Sequence, residues 1–158
     1  HGATAVGDWQ YEGILPTAMC NFLALLGWSP GDDTEVMMPD ELLAKFSLDG
    51  LQKKAAVFDP KKLEWMNGQH LSRLPLDEVI PVVRRAVTRA EVPGAERLDR
   101  DPAWTAHLVE QLRVRARTIE DVVRQARPYL GDVVYDEEAV AKALLKDRAA
   151  SADILSAT

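Results

Sequence analysis

Apolar positions along the chain recur at spacings of three and four, and the runs they form are bounded by proline, glycine and Asp-Pro pairs. No stretch alternates apolar and polar residues over strand length with matching β-branched content, so the pattern predicts an all-α protein. Leu15, Met19, Phe22, Leu23 and Leu26 make the first stripe, with Pro16 in the first turn and Gly27 placed to end the helix. Trp28-Ser29-Pro30-Gly31-Asp32-Asp33 is then a loop. Pro39-Asp40-Glu41 opens a second helix, with acids in the turn where the helix dipole favours them. Leu42, Leu43 and Phe46 supply its inner face, and Asp49-Gly50 marks its exit. Asp59-Pro60 is a cap followed by proline at the first position of a third helix. Leu63 and Met66 give that helix a buried stripe, and Asn67-Gly68 ends or bends it.

Leu74-Pro75-Leu76 reads as a hinge. Asp77-Glu78-Val79-Ile80 starts a longer helix toward Ala90, with Pro81 in its first turn, where a missing amide costs little. After the Val92-Pro93-Gly94 break, Asp101-Pro102 repeats the cap-plus-proline signal, and Trp104, Leu108 and Leu112 follow four apart. Thr118-Ile119-Glu120-Asp121 matches a capping box in acidic form, opening a helix that ends before Pro128. Asp136-Glu137-Glu138 opens a last helix reaching Asp147, and residues 149–158 form a small, polar tail. The natural boundary at Leu74-Pro75 divides the chain into two helical modules.

With 158 residues and 47% apolar content, the chain can build one domain or two small ones with real cores. No run approaches the ~18 apolar residues of a membrane span, and His1-Gly2-Ala3-Thr4 shows no secretory pattern, so a soluble cytoplasmic protein is expected. The first residue is not Met, and the opening residues read as the middle of a sequence, which makes an excised piece the expectation. Cys20, among Met19, Phe22 and Leu23, reads as a small buried thiol without a disulfide partner. His1, His70 and His107 lack metal-ligand spacing, so no metal site is expected. Net charge is −6, which argues against non-specific attachment to nucleic acid. Yet from Leu112 to Arg127 the chain carries Arg113, Arg115, Arg117, Arg124 and Arg127 against Glu120 and Asp121, a local +3 on an acidic body.

Four short strings in order carry a resemblance. They are Tyr11-Glu12-Gly13-Ile14-Leu15-Pro16, Ala24-Leu25-Leu26-Gly27-Trp28-Ser29-Pro30-Gly31, Val57-Phe58-Asp59-Pro60 and Leu63-Glu64-Trp65-Met66-Asn67-Gly68. Together they resemble the segment of bacterial-type glutamyl-tRNA synthetases just past the Lys-Met-Ser-Lys-Ser-like loop of the catalytic domain. The resemblance is strong through Leu71 and weaker beyond. It implies a C-terminal fragment of that class I enzyme, in which residues 1–75 form the tRNA stem-contact domain and residues 76–148 the first helical anticodon-binding domain. It further implies that the parent ligates L-glutamate to its tRNA using ATP and Mg2+. The ATP and glutamate site would then lie outside this chain, which would hold no cofactor and no catalytic residue. The implied partner is the glutamate tRNA, with no DNA or membrane, bound by a monomer.

Residue by residue, the resemblance matches Lys62 and Trp65 to a lysine and a tryptophan that touch the tRNA D-arm. Trp65 as packed core and Lys62 as a solvated charge is the structural alternative. Arg115 matches the arginine that reads the third anticodon base and helps separate glutamate from glutamine tRNAs. Arg113 and Arg117 flank it, since guanidinium forks suit phosphates and the edges of splayed bases. If the helix continued, a 100° step would put Arg113 and Arg117 about 40° apart with Arg115 on the other side. Cations at a helix C-terminus also need no ligand, because the dipole alone rewards them. Arg84, Arg85 and Arg89 read as a solvated helix face or as phosphate contacts, which would add affinity without sequence information. Two other readings stand beside this one: a helical protein-interaction module without RNA binding, and a relative that charges both glutamate and glutamine tRNAs.

Overall fold

The structure is a computed structural model and describes residues 6–53, 57–131 and 142. The described residues form seven α-helices: α1 Pro16–Gly27, α2 Pro39–Lys45, α3 Pro60–Arg73, α4 Leu76–Arg89, the single turn α5 Arg97–Arg100, α6 Pro102–Arg113 and α7 Ile119–Leu130. Two short 3-10 segments, Val6–Gln10 and Leu48–Gly50, and one isolated antiparallel bridge between Trp28 and Leu51 complete them. The all-α expectation is met. The last helix and the tail expected beyond Asp136 lie outside the described residues, Lys142 apart.

The helix starts follow the caps in the sequence. Asp59 accepts from the Lys61 amide at 2.9 Å, and Asp101 accepts from Trp104 at 2.9 Å. The Thr118 hydroxyl accepts from the Asp121 amide at 3.1 Å while the Asp121 carboxylate accepts from the Thr118 amide at 3.2 Å, closing the expected box.

Two apolar clusters hold the helices together. Ile14, Met19, Phe22, Leu63 and Met66 make the smaller. The larger joins Leu15, Ala18, Leu71 and Leu74 to the inner faces of α4, α6 and α7. Met19 and Phe22 of α1 enter one cluster and Ala18 the other, and α3 divides likewise between its first and last turns. These two helices therefore stitch both halves of the molecule.

Several expectations need correcting. Cys20 is exposed rather than buried: at 100° per residue it lies opposite the arc defined by Ala18, Met19 and Phe22. Leu23 is exposed too, about 40° past Met19 at the edge of that arc. The inner face expected for α2 is absent, since none of its residues is buried and Leu43 is 77% exposed. Phe46, just past the helix, leans on Trp28 with ring centroids 5.4 Å apart. A seven-residue helix at the edge of the molecule has little core to face. Pro81 sits in the second turn of α4, whose start at Leu76 is earlier than expected, and its missing amide leaves the Asp77 carbonyl on an exposed side. Pro128 lies within α7, which runs on to Leu130, because only one turn remains and the Gly131 amide still reaches the Arg127 carbonyl at 3.4 Å.

Asn67-Gly68 does not end α3, which continues to Arg73. The fully buried Asn67 amide accepts from the Leu15 amide at 2.7 Å and donates to the carbonyls of Gly13 at 3.2 Å and Arg117 at 2.6 Å. Gly13 adopts φ +79°, and a Cβ there would lie 2.8 Å from the Ile119 nitrogen. Its carbonyl accepts from the Ile119 amide at 3.1 Å, giving α7 one of its missing first-turn partners.

One turn further on, His70 is also fully buried, with Nδ1 3.2 Å from the Thr17 hydroxyl and Nε2 3.1 Å from Asn21 Oδ1. That oxygen already accepts from the Met37 amide at 2.9 Å, so Nε2 carries the ring proton and Nδ1 accepts from Thr17. Burial, reinforced by the nearby Arg73 charge and opposed by Glu41, pushes the His70 pKa down from 6.5 to about 4.

Two stability predictions follow from these buried groups. Asn67→Ala strands the Leu15 amide and should lower the unfolding free energy by about 3 kcal/mol in urea titration; a loss below about 1 kcal/mol would contradict the role given to this side chain. For His70, the unfolded chain takes up the proton near pH 6.5 while the folded state resists it until about pH 4, so stability falls as the pH drops through that window. The loss should approach ~3 kcal/mol at its acid end, and thermal melts of His70→Gln should lack it. Equal pH slopes for the two proteins would refute the assignment.

Candidate nucleic-acid interface

α6 stops at Arg113, so the arginine-rich segment does not continue as a helix. Arg113 is buried. Its Nη1 donates to the Leu74 carbonyl and to that of Leu71 at 3.4 Å, and its Nη2 pairs with Glu110 at 2.6 Å. Pro75 explains the need: in a continuing helix residue 75 would donate to the Leu71 carbonyl, and proline has no hydrogen to give. The guanidinium caps the C-terminus of α3, where the helix dipole also favours a cation.

The turn that follows turns Arg115 and Arg117 outward, both exposed. They line a cleft of about 190 Å³ together with Val114, Ala116 and, from α3, Trp65, Gly68, Gln69 and Ser72. Gly68 permits the approach, since a Cβ there would meet the Ala116 carbonyl oxygen at 3.1 Å and the Arg117 Cα at 3.3 Å. Trp65 is 39% exposed, so its ring is available and is not packed core. None of the lining residues is acidic. The structure thus brings Trp65, Arg115 and Arg117 to one cleft and leaves Arg113 inside the protein.

The neighbouring acids are already engaged. Glu120 pairs with Arg89 from α4. Asp121 pairs with Arg124 and also accepts from the Arg117 amide at 3.0 Å. Partial burial pushes the Asp121 carboxyl up, but the Arg117 and Thr118 amides and the Arg124 guanidinium outweigh it and hold it below the usual carboxylate value.

Lys62 lines a different cleft, of about 480 Å³, among Trp28, Asp32, Asp33 and Glu35, and pairs with Glu35. In the same region the Lys45 ammonium, aided by Thr34, holds the Asp32 carboxyl well below its ordinary value. Of the α4 arginines, Arg84 donates to the Leu98 carbonyl at 2.6 Å and lies 3.4 Å from Asp99, bracing α5. Arg85 and Arg89 line a third cleft, of about 360 Å³, with Tyr11, Gly13 and Ile119.

Among the described residues no group of three or more His, Cys, Asp or Glu could hold a metal ion. Among the described residues no helix is long and apolar enough to cross a membrane. The arginine cleft instead offers guanidinium donors and an aromatic face without a competing carboxylate, a combination suited to phosphates and flat bases. Gly68, Gln69 and Ser72 went unrecognised as lining residues in the sequence. The sequence carries no clear signal for them, because an Asn-Gly pair reads as a helix stop and the helix continues only through partners far along the chain.

Comparisons with known proteins identify what the chain resembles. The family profile described as "tRNA synthetases class I (E and Q), catalytic domain" matches residues 2–65. The glutamate–tRNA ligase of Desulforudis audaxviator is 40% identical over 148 residues, covering 92% of this chain and 29% of that protein. That of Nitratidesulfovibrio vulgaris is 40% identical over 150 residues, covering 93% of this chain and 31% of its own length. The crystal structure of a glutamate tRNA ligase from Elizabethkingia meningosepticum in complex with its amino acid superposes with a TM-score of 0.67 and 26% identity, over 90% of this chain and 28% of that one. The glutamate-tRNA synthetase of Elizabethkingia anophelis gives 0.64 and 27% identity. The chain spans about 30% of the length of the curated relatives it matches. Along nearly all of its own length, then, this chain is homologous to glutamate–tRNA ligases.

Proposed function

We propose that this chain is a tRNA-binding part of a glutamate–tRNA ligase. The whole enzyme joins L-glutamate to its tRNA at the expense of ATP, with Mg2+, and this part docks the tRNA for chemistry carried out elsewhere in it. The observation that carries the reading is the acid-free cleft of Trp65, Arg115 and Arg117, in a chain whose relatives are glutamate–tRNA ligases. Residues 76–148 act as the anticodon-binding region, and residues 1–75 as the stem-contact region except where Trp65 and its neighbours on α3 line the arginine cleft. Arg115 reads the third anticodon base, Arg117 holds adjacent phosphate and Trp65 lies against the same stretch of RNA. Because Trp65 and the two arginines share one cleft, they engage neighbouring nucleotides rather than distant arms of the tRNA. Arg113 supports the turn from inside. Lys62, already paired with Glu35, and Arg85, beside the third cleft, supply weaker backbone contacts. Binding energy spent here serves to orient the acceptor end in the remote active site.

One observation favours the protein-interaction reading. Leu43, Phe46, Leu48, Leu51, Val57 and Phe58 all stand exposed between 39% and 83%. The two readings separate by salt, because contacts to phosphates weaken as salt rises and apolar contacts do not.

The deciding experiment titrates glutamate tRNA onto the chain at several salt concentrations. Arg115→Gln should lower the magnitude of the salt slope by about one and, in the full-length enzyme, relax the choice between C and U at the third anticodon base, with the melting temperature unchanged. Equal charging of both tRNAs by wild type and variant would count against the role of Arg115. No tRNA binding by the wild-type chain at ~50 mM salt would overturn the reading as a whole.

A further inference from the structure

Arg115 stands on a wall shared by two clefts. The second, about 440 Å³, opens between the end of α6 and the outer face of α7, and its other lining residues are Gln111, Leu112, Gln125, Pro128 and Tyr129. Arg115 is the one charged group in that lining. Gln125 and Tyr129 are four apart on α7, and so share a face.

Tyr129 is 53% exposed, and none of the ring stackings found among the described residues involves it. Its backbone, by contrast, is anchored from behind. Arg97 donates to the Tyr129 carbonyl at 3.0 Å, and the Arg97 guanidinium lies 4.1 Å from the centre of the Trp104 ring. Gly94, at φ +76°, passes so close to the Leu130 carbonyl that no Cβ would fit. A large aromatic ring is therefore displayed to solvent on a fixed backbone, beside two primary amides and one guanidinium. Flat rings stack on such a platform whatever their identity, and amide side chains offer a donor and an acceptor to a base edge.

We propose that this second cleft takes a single unpaired nucleobase of the same RNA, next along the strand to the nucleotide that meets Arg115. Tyr129 stacks on the base, and Gln111 and Gln125 lie at its edges. Arg115, common to both clefts, holds the intervening phosphate or the neighbouring base. This inference rests on the RNA reading above.

The test uses the full chain and RNA hairpins carrying the anticodon stem and loop of a glutamate tRNA, either intact or with each unpaired loop nucleotide in turn made abasic. Tyr129→Ala should weaken binding of the intact hairpin about tenfold, without changing the salt slope or the melting temperature, and Tyr129→Phe should restore it. Removing one particular base should cost the wild type a similar factor and cost Tyr129→Ala nothing further. The proposal is overturned if Tyr129→Ala binds as tightly as wild type, or if every abasic hairpin loses equally with both proteins. Should that happen while Arg115→Gln still lowers affinity and salt slope, the RNA reading stands and this subsite alone falls. Failure of the wild-type chain to bind hairpin or whole tRNA would remove both.

Discussion

A primary amide taken out of water is a liability unless its donors and acceptor find partners, and Asn67 finds three on two distant stretches of chain. Its oxygen holds the Leu15 amide at the entrance to α1, and its nitrogen holds the Gly13 and Arg117 carbonyls. The Gly13 carbonyl in turn accepts from the first amide of α7. One side chain on α3 thus fixes where α1 begins, where α7 begins and where the turn before α7 must pass. Gly68, the next residue, lets that turn lie against the helix. The distance between Trp65 and the exposed arginines is set by a single helical turn of α3 and the bonds of its neighbour, so the cleft is part of the packed structure and not a feature of a free loop.

The same constraint decides how an acidic chain can present a basic surface. Five arginines crowd the segment 113–127, but their charges are disposed of differently. Arg113 is consumed by the end of α3, and Arg124 pairs with Asp121. Glu120, one of the two acids in the segment, is taken by Arg89 from α4. What remains facing the cleft is Arg115 and Arg117, with the acids that would have paired with them already spoken for. Net charge over the whole molecule says little about this surface, because exposed charges farther apart than about 10 Å are largely screened at ordinary salt.

Local signals in the sequence were legible wherever the physics was local. Asp59-Pro60, Asp101-Pro102 and the Thr118–Asp121 box each satisfy backbone groups within three residues, and each stands where its pattern placed it. What could not be read were residues whose partners lie far along the chain. Asn67-Gly68 has the chemistry of a helix stop, and only contacts about 50 residues away reveal that the same chemistry binds other segments to a helix that continues. Apolar company points Cys20 and Leu43 to the interior, but direction around the helix and the size of the facing core decide burial, and both are exposed. Arg115 and Trp65 were singled out by resemblance, but their common cleft is a fact of packing.

The scale of the contacts also limits what this surface can do. A stacked base contributes about 1–3 kcal/mol, and each phosphate neutralised adds a salt-dependent increment. Two guanidiniums and one or two rings therefore sum to a few kcal/mol, near the ~4 kcal/mol that corresponds to millimolar binding. A surface of that strength binds RNA weakly by itself, measurably at low salt and with RNA raised toward millimolar concentration. It is well suited to positioning RNA already held elsewhere, provided its geometry does not yield, because small differences in contact energy translate into orientation only on a rigid frame. The buried Asn67 network, the internal Arg113 cap and the capping box supply that rigidity at the point where the arginines emerge.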